Sequence, residues 1–316
     1  MSLLPVWLDC DPGHDDAIAL IAASQLCHLV GVSTVAGNAT LARTTDNALA
    51  LCNAFGIHVP VHAGADRPLV APARHAPDIH GESGLFGVTL PAPVCGTAGT
   101  HAAQAILDAS HRVPGLWLVA VGPLTNVALA LALDPTLAQR LAGISVMGGG
   151  VGLGNTTPMA EFNFLVDPEA AQRVLQSGAR IVIAGLDLTH QFCFGQADAA
   201  AVQAASTGRS AIALARAAVV SDIYAHFAER YFEVTGMPDG PMHDPCAVLA
   251  LTHPALFERQ ALHCEVELAG GTRGMLVADL RFPKLSAASN AEVLRRMDAD
   301  AARRVLAEAV LGAVGA

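Results

Sequence analysis

An apolar run, Leu3-Leu4-Pro5-Val6-Trp7-Leu8, stops in Asp9-Cys10-Asp11-Pro12-Gly13-His14-Asp15-Asp16, and a helix pattern, Ala17-Ile18-Ala19-Leu20-Ile21-Ala22-Ala23, begins at once. Such a stretch folds as a short buried strand, a tight turn at Pro12-Gly13 and a helix entered through acid. Four carboxylates fall within eight residues. Helix capping explains one or two of them, because a first-turn Asp meets free N–H groups and the positive end of the helix dipole. It does not explain four, two of which precede the turn. Charge this dense repels itself unless a cation or a polar ligand compensates it. A hard divalent cation, Ca2+ first, is the natural partner of carboxylate oxygens. Asp15 and Asp16 diverge by roughly 100° around the helix axis, so one can grip a metal while the other grips something beside it.

The same strand-then-helix rhythm continues for two thirds of the chain. Strands are predicted at Val6–Asp9, Leu29–Thr34, Val59–His62, Leu116–Val121, Ile144–Met147 and Arg180–Ala184. Helices are predicted at Asp15–Cys27, Leu41–Phe55, Thr100–Ser110, Thr125–Ala132, Pro168–Ser177 and Ser210–Phe232. This alternation predicts an α/β fold: an open, mostly parallel sheet flanked by helices, with a Rossmann-like core. Ligands of such sheets lie beyond the carboxyl ends of the strands. The acidic turn, Gly37-Asn38 and Gly122-Pro123-Leu124-Thr125-Asn126 all fall there. Two long irregular segments, Gly64 to Gly99 and Gly148 to Phe164, read as binding loops or lids. The tail from Glu265 to Ala316 reads as a hairpin turning at Gly270-Gly271, then terminal helices. With no repeat, charged tail or linker, residues 1–316 are expected to form a single domain.

Composition narrows the function classes. The chain is 53% hydrophobic and 15% charged with a formal net charge of -10, rich enough for a large core and poor in the basic surface that nucleic acid or an anionic membrane would need. Lys284 is the only lysine, so Schiff-base chemistry has one candidate, far from the acidic turn. Seven scattered cysteines form no CxxC pair, which fits a reducing compartment. The N-terminus is a poor signal peptide and the apolar runs are too short to span a bilayer. A cytoplasmic enzyme of small molecules is expected, with no nucleic-acid or membrane partner. Gly148 to Gly154 lacks the Lys-Ser/Thr ending of a phosphate loop, and no Gly-x-Ser-x-Gly or HExxH is present. Asn155, Glu161 and Asn163 after that loop offer donors and acceptors suited to sugar hydroxyls. His243-Asp244-Pro245 and His80-Gly81-Glu82, taken singly, read equally well as structural residues.

Together these blocks resemble a known family, the calcium-dependent nucleoside hydrolases of the inosine-uridine-preferring type. The resemblance begins at Asp9 to Asp16 and runs in order through Val35-Ala36-Gly37-Asn38, Ile79 to Leu85, Gly122 to Asn126, Met147-Gly148-Gly149, Asn155 to Asp167 and His243-Asp244-Pro245. It implies the nucleoside hydrolase fold and hydrolysis of the N-glycosidic bond of ribonucleosides to free base and ribose. It implies one Ca2+ per subunit held by Asp11, Asp16, the Thr125 carbonyl and Asp244, with Asp11 the base for a calcium-bound water. Asp15, Asn38, Asn155, Glu161, Asn163 and Asp244 would grip the ribose, with Met147 beside it and Asp9 in support. His80 and His243 would border the base, His243 as the acid that titrates near neutrality, and Tyr231 would assist. Phe227 stands where a second aromatic hydroxyl is expected, and Tyr224 is out of step. A homodimer or homotetramer is implied. An Asp-x-Asp phosphatase and a non-catalytic nucleoside sensor are the alternatives; the first lacks a placed lysine and has Pro12-Gly13 after its second Asp.

Overall fold

The computed structural model describes residues 3–282 and 284–315. Eight strands make one sheet: β1 (Pro5–Cys10), β2 (His28–Thr34), β3 (Val61–Ala63), β4 (Trp117–Ala120), β5 (Gly143–Met147), β6 (Ile181–Ala184), β7 (Phe257–Leu262) and β8 (Ala291–Met297). Their order is β3-β2-β1-β4-β5-β6-β8-β7. All neighbours are parallel except the edge pair of β7 and β8. The helices that bear on the site and core are α1 (His14–Leu26), α2 (Leu41–Phe55), α3 (Ala102–Arg112), α4 (Thr125–Leu133), α5 (Phe162–Val166), α6 (Pro168–Leu175), α7 (Ala211–Thr235), α8 (Pro245–Thr252) and α9 (Ala299–Val314).

Strand side chains alternate between two cores. Val6, Leu8, Val119, Val182 and Ala184 face one side with α1, α2, α7, α8 and α9. Trp7, Leu118, Ala120, Ile144, Val146, Ile181 and Ile183 face the other with α3, α4 and α6. A strand covered on both faces reads as an unbroken apolar run, which is why the first six strands are visible in the sequence. β7 and β8 are not. Phe257-Glu258-Arg259-Gln260-Ala261-Leu262 is an edge strand with exposed polar positions, and Ala291–Met297 carries Glu292, Arg295 and Arg296 among its apolar residues. The terminal helices expected after the hairpin are therefore corrected: β8 intervenes, pairs with β6 and β7, and only α9 follows. The hairpin itself is present, Cys264–Val266 against Leu276–Ala278.

The sheet order reverses direction between β1 and β4, creating a crevice at their carboxyl ends. Asp9 to Asp16 follow β1 and Val121 to Asn126 follow β4. Helix α7 is long and apolar enough to cross a membrane by composition, but half of its most apolar stretch is buried within the protein, as in a core helix.

Candidate active site

The crevice gathers carboxylates from distant parts of the chain. Asp11 stands just past β1, Asp15 and Asp16 open α1, and α8, packed on α1, brings Asp244 from its own N-terminus. Oxygens of Asp15, Asp16 and Asp244 lie within 4.8 Å of one another. Asp11 and Asp16 are 0% exposed, Asp244 3% and Asp15 5%. The Asp16 carboxylate accepts from the backbone N–H of Asp11 (2.9 Å) and Gly13 (3.0 Å) and from the Asn38 side-chain amide (2.9 Å). Asp11 Oδ2 accepts from the Asn38 N–H at 2.7 Å, while its Oδ1 is buried without a partner. Two glycines make room for this carboxylate: a Cβ at Gly37 would collide with Oδ2, and one at Gly122 would stand 2.5 Å from Oδ1.

These charges have no cationic side chain as partner. Among the described residues, none of the ion pairs involves Asp9, Asp11, Asp15, Asp16, Glu161 or Asp244. Burial, then the charge of Asp16, pushes Asp11 and Asp15 well above the usual carboxylate range. Burial, then Asp15, does the same to Asp244. Asp16 is also raised by burial, against the N–H groups that oppose it. An all-oxygen donor set, buried and lacking a counter-charge, with one orphaned oxygen, fits a hard dication. The Thr125 hydroxyl donates to Asp167 Oδ2 at 2.7 Å. Behind the cluster, Asp9 accepts from the Ser33 hydroxyl and from the Asn126 amide, and burial lifts it to about 7.

A cavity of about 310 Å³ opens beside the cluster, within the size range of small-molecule sites. Its polar side carries Asp15, Asp244, Asn38, Met147, Asn155, Glu161 and Asn163. Glu161 caps α5 and accepts from the N–H groups of Asn163 (2.8 Å), Gly149 (2.8 Å) and Phe164 (3.1 Å); burial raises it to about 7. The Asn163 amide donates to the carbonyls of Val121 (2.8 Å) and Met147 (3.2 Å), which tie α5 to the ends of β4 and β5. Asn155 Oδ1 accepts from the Phe162 N–H at 3.0 Å. The aromatic side carries His80, Phe227, Tyr231 and His243, with neighbouring ring centroids 5.4–6.1 Å apart.

Of the site residues expected from the sequence, Asp15, Asn38, His80, Met147, Asn155, Glu161, Asn163, Tyr231, His243 and Asp244 line the cavity. Asp11 and Asp16 are buried in the acidic cluster beside it, and Thr125 is buried at the start of α4 with its hydroxyl on Asp167. Glu82 is exposed and Tyr224 does not line the cavity. His243 departs from expectation in its chemistry. Burial, then the neighbouring His190 ring, holds it down at about 3, so the near-neutral titration of a free imidazole is corrected. Its Nδ1 lies 2.6 Å from the Thr189 hydroxyl and its Nε2 3.4 Å from that of Tyr231. Thr189 is not legible in the sequence, nor are Arg74, Asp78, Val234 and Thr235, which also line the cavity. They belong to no motif. The four-residue spacing of Phe227 and Tyr231 on one helical face is the sole signal on α7.

The sequence profile described as "Inosine-uridine preferring nucleoside hydrolase" matches residues 6–304. The inosine-uridine preferring nucleoside hydrolase of Leishmania major is 39% identical over 287 residues, covering 88% of each chain. The pyrimidine-specific ribonucleoside hydrolase RihA of Salmonella agona is 41% identical over 288 residues, covering 88% of this chain and 89% of its own. Among solved structures, the purine-preferring ribonucleoside hydrolase from Gardnerella vaginalis superposes with a TM-score of 0.90 at 25% identity, covering 98% of this chain and 99% of its own.

Proposed function

This chain belongs to the inosine-uridine preferring nucleoside hydrolase family and hydrolyses the N-glycosidic bond of ribonucleosides, and we propose that it does so with Ca2+ held by Asp11, Asp16, the Thr125 carbonyl and Asp244. The observation that carries this reading is the buried, uncompensated carboxylate cluster opening into a cavity with an aromatic far wall. A Ca2+ ion there supplies Lewis acidity and a positive anchor for water and hydroxyl oxygens. Asp11 takes the proton of the attacking water. Asp15, Asp244, Asn38, Asn155, Glu161 and Asn163 grip the ribose hydroxyls, with Met147 beside them. Their negative charge favours the positive charge that develops at the anomeric carbon. The base lies against His80, Phe227, Tyr231 and His243. A neutral His243 can assist departure through a ring N–H that Thr189 orients, with Tyr231 beside it. We take residues 1–316 as one catalytic domain acting in the cytoplasm, assembled as a homodimer or homotetramer.

Ribose release from a panel of ribonucleosides, followed by a reducing-sugar assay with Ca2+ and with a chelator, tests the reading; release unaffected by chelation would remove the metal from it. His243→Ala is expected to lose ~10²–10³-fold on inosine and far less on p-nitrophenyl riboside, whose leaving group departs without a proton. Equal losses on both would exclude help from His243 to the departing base. A 2′-deoxynucleoside is expected to react ~10³-fold or more slowly, because buried hydroxyl-binding groups are then left unpaired; comparable kcat/KM values for both sugars would displace the ribose grip.

A further inference from the structure

His14, the first residue of α1, is fully buried and takes no part in the chemistry proposed above. Its ring stacks near both His80 and Phe227, with centroids 5.4 Å away in each case. His14 Nε2 lies 3.0 Å from the Phe86 carbonyl oxygen. A carbonyl only accepts, so this nitrogen carries a proton. His14 Nδ1 lies 3.1 Å from His80 Nδ1, and one of these two must donate to the other. A second proton on His14 would bury a cation completely, and neither of its ring nitrogens touches a carboxylate that would stabilise it. The His14 Nδ1 is therefore the acceptor and the His80 Nδ1 the donor.

One contact competes. The His14 backbone N–H lies 3.4 Å from His80 Nδ1 and would need that nitrogen bare. This distance exceeds the usual range for N–H donors. Satisfying it would also set a bare His14 Nε2 against the Phe86 oxygen, two lone pairs 3.0 Å apart. The shorter contact decides the tautomer. His80 Nε2 is then bare. Among the described residues it has no hydrogen-bond partner, yet it is not one of the sealed polar atoms, and His80 lines the cavity.

We propose that His14 is a positioning residue that locks His80 in its Nδ1–H tautomer, so that His80 Nε2 meets the substrate as an acceptor and the pocket recognises a base whose ring nitrogen carries a proton. The proposal rests on the nucleoside reading of the cavity. It sorts bases by edge and not by ring size: uracil N3–H and hypoxanthine N1–H satisfy His80, whereas cytosine N3 and adenine N1 present a lone pair to a lone pair.

Side-chain 15N–1H correlation NMR on histidine-labelled protein, assigned with His80→Gln, reads the tautomer directly. A proton on His80 Nδ1 is expected; a proton on Nε2 overturns the proposal whether or not any nucleoside is cleaved. Kinetics supply the second readout, each rate taken relative to p-nitrophenyl riboside. The wild type is expected to favour uridine over cytidine, and inosine over adenosine, by about 10–10²-fold, the usual effect of one unsatisfied buried polar contact. His14→Leu should collapse both ratios, mainly through KM. His14→Gln, whose carbonyl can face His80 and whose amide can face Phe86, should retain them. Ratios favouring cytidine and adenosine, or unmoved in His14→Leu, overturn the role. Failure to release ribose from every substrate would count against the glycosidase reading, and the NMR result would still decide the tautomer.

Discussion

Replacing Asp11 by asparagine is expected to lower kcat/KM on ribonucleosides by at least ~10³-fold while leaving the metal-free fold as stable as before, or more so. The two halves have one cause. Asp11 is fully buried, and its Oδ1 has no partner inside the protein. A carboxylate in that position adds unfavourable charge to a cluster already crowded by Asp15, Asp16 and Asp244. An isosteric amide removes that charge and can still accept the Asn38 N–H through its oxygen. Catalysis loses more than a general base, worth ~10²–10⁴-fold by itself, because a charged metal ligand goes with it. Circular dichroism and thermal melting in chelator establish that the variant is folded, and substrate turnover then measures the chemistry. Activity within about tenfold of wild type would remove Asp11 as base. Loss of the fold in chelator would mean that the carboxylate holds structure that the asparagine cannot.

The sequence reveals what local chemistry encodes and misses what tertiary pairing decides. Strands β1 to β6 are readable because both faces are covered, leaving apolar runs bounded by turn residues. Strand β8 is hidden because Glu292 and Arg295 serve half-buried ion pairs, with Arg180 and Arg259 and with Asp187, and so mimic a helix surface. The acidic cluster is readable because four carboxylates in eight residues exceed what capping needs. Asp244 is not readable from its own surroundings, where an Asp before a proline-led helix is ordinary; only the ordered set of blocks in the family resemblance singles it out, and the packing of α8 on α1 explains why. The burial that shifts His243 has no trace in the sequence. A histidine in solution titrates near neutrality, and only the enclosing residues, His190 among them, show that this one does not.

The second large effect concerns stability without metal. In chelator, the protein is expected to lose stability as pH rises from about 4 to about 7, and Ca2+ is expected to restore it at the upper end. Glu161 is raised from 4.5 to about 7, and Asp9 from 3.8 to about 7, in both cases chiefly by burial. A group whose folded pKa exceeds its unfolded one binds its proton more tightly in the folded state. Its contribution is therefore fully present below the unfolded pKa and is lost as pH climbs through the folded value. A tenfold gain in proton affinity on folding corresponds to about 1.4 kcal/mol, so these two groups contribute several kcal/mol to the fall, on the scale of the roughly 5–15 kcal/mol that holds a domain together. Asp11, Asp15 and Asp244 move in the same direction and add to it. Two trends oppose it. Half-buried carboxylates such as Glu169 and Glu292, held low by arginines, act below that window and are weak at a solvated surface. His14, His80 and His243, held below the usual imidazole range by burial, contribute stability that grows as pH rises to about 6.5. The net fall is therefore smaller than the carboxylates alone would give and is clearest above that pH. Metal binding needs deprotonated ligands, so Ca2+ affinity should rise across the same pH range, adding ~2.7 kcal/mol when free Ca2+ is about a hundredfold above its Kd. Urea midpoints measured from about pH 4 to 8 should fall with pH in chelator and stay level or rise in Ca2+. Parallel curves in the two conditions would mean that the buried acids are compensated by something other than a dication.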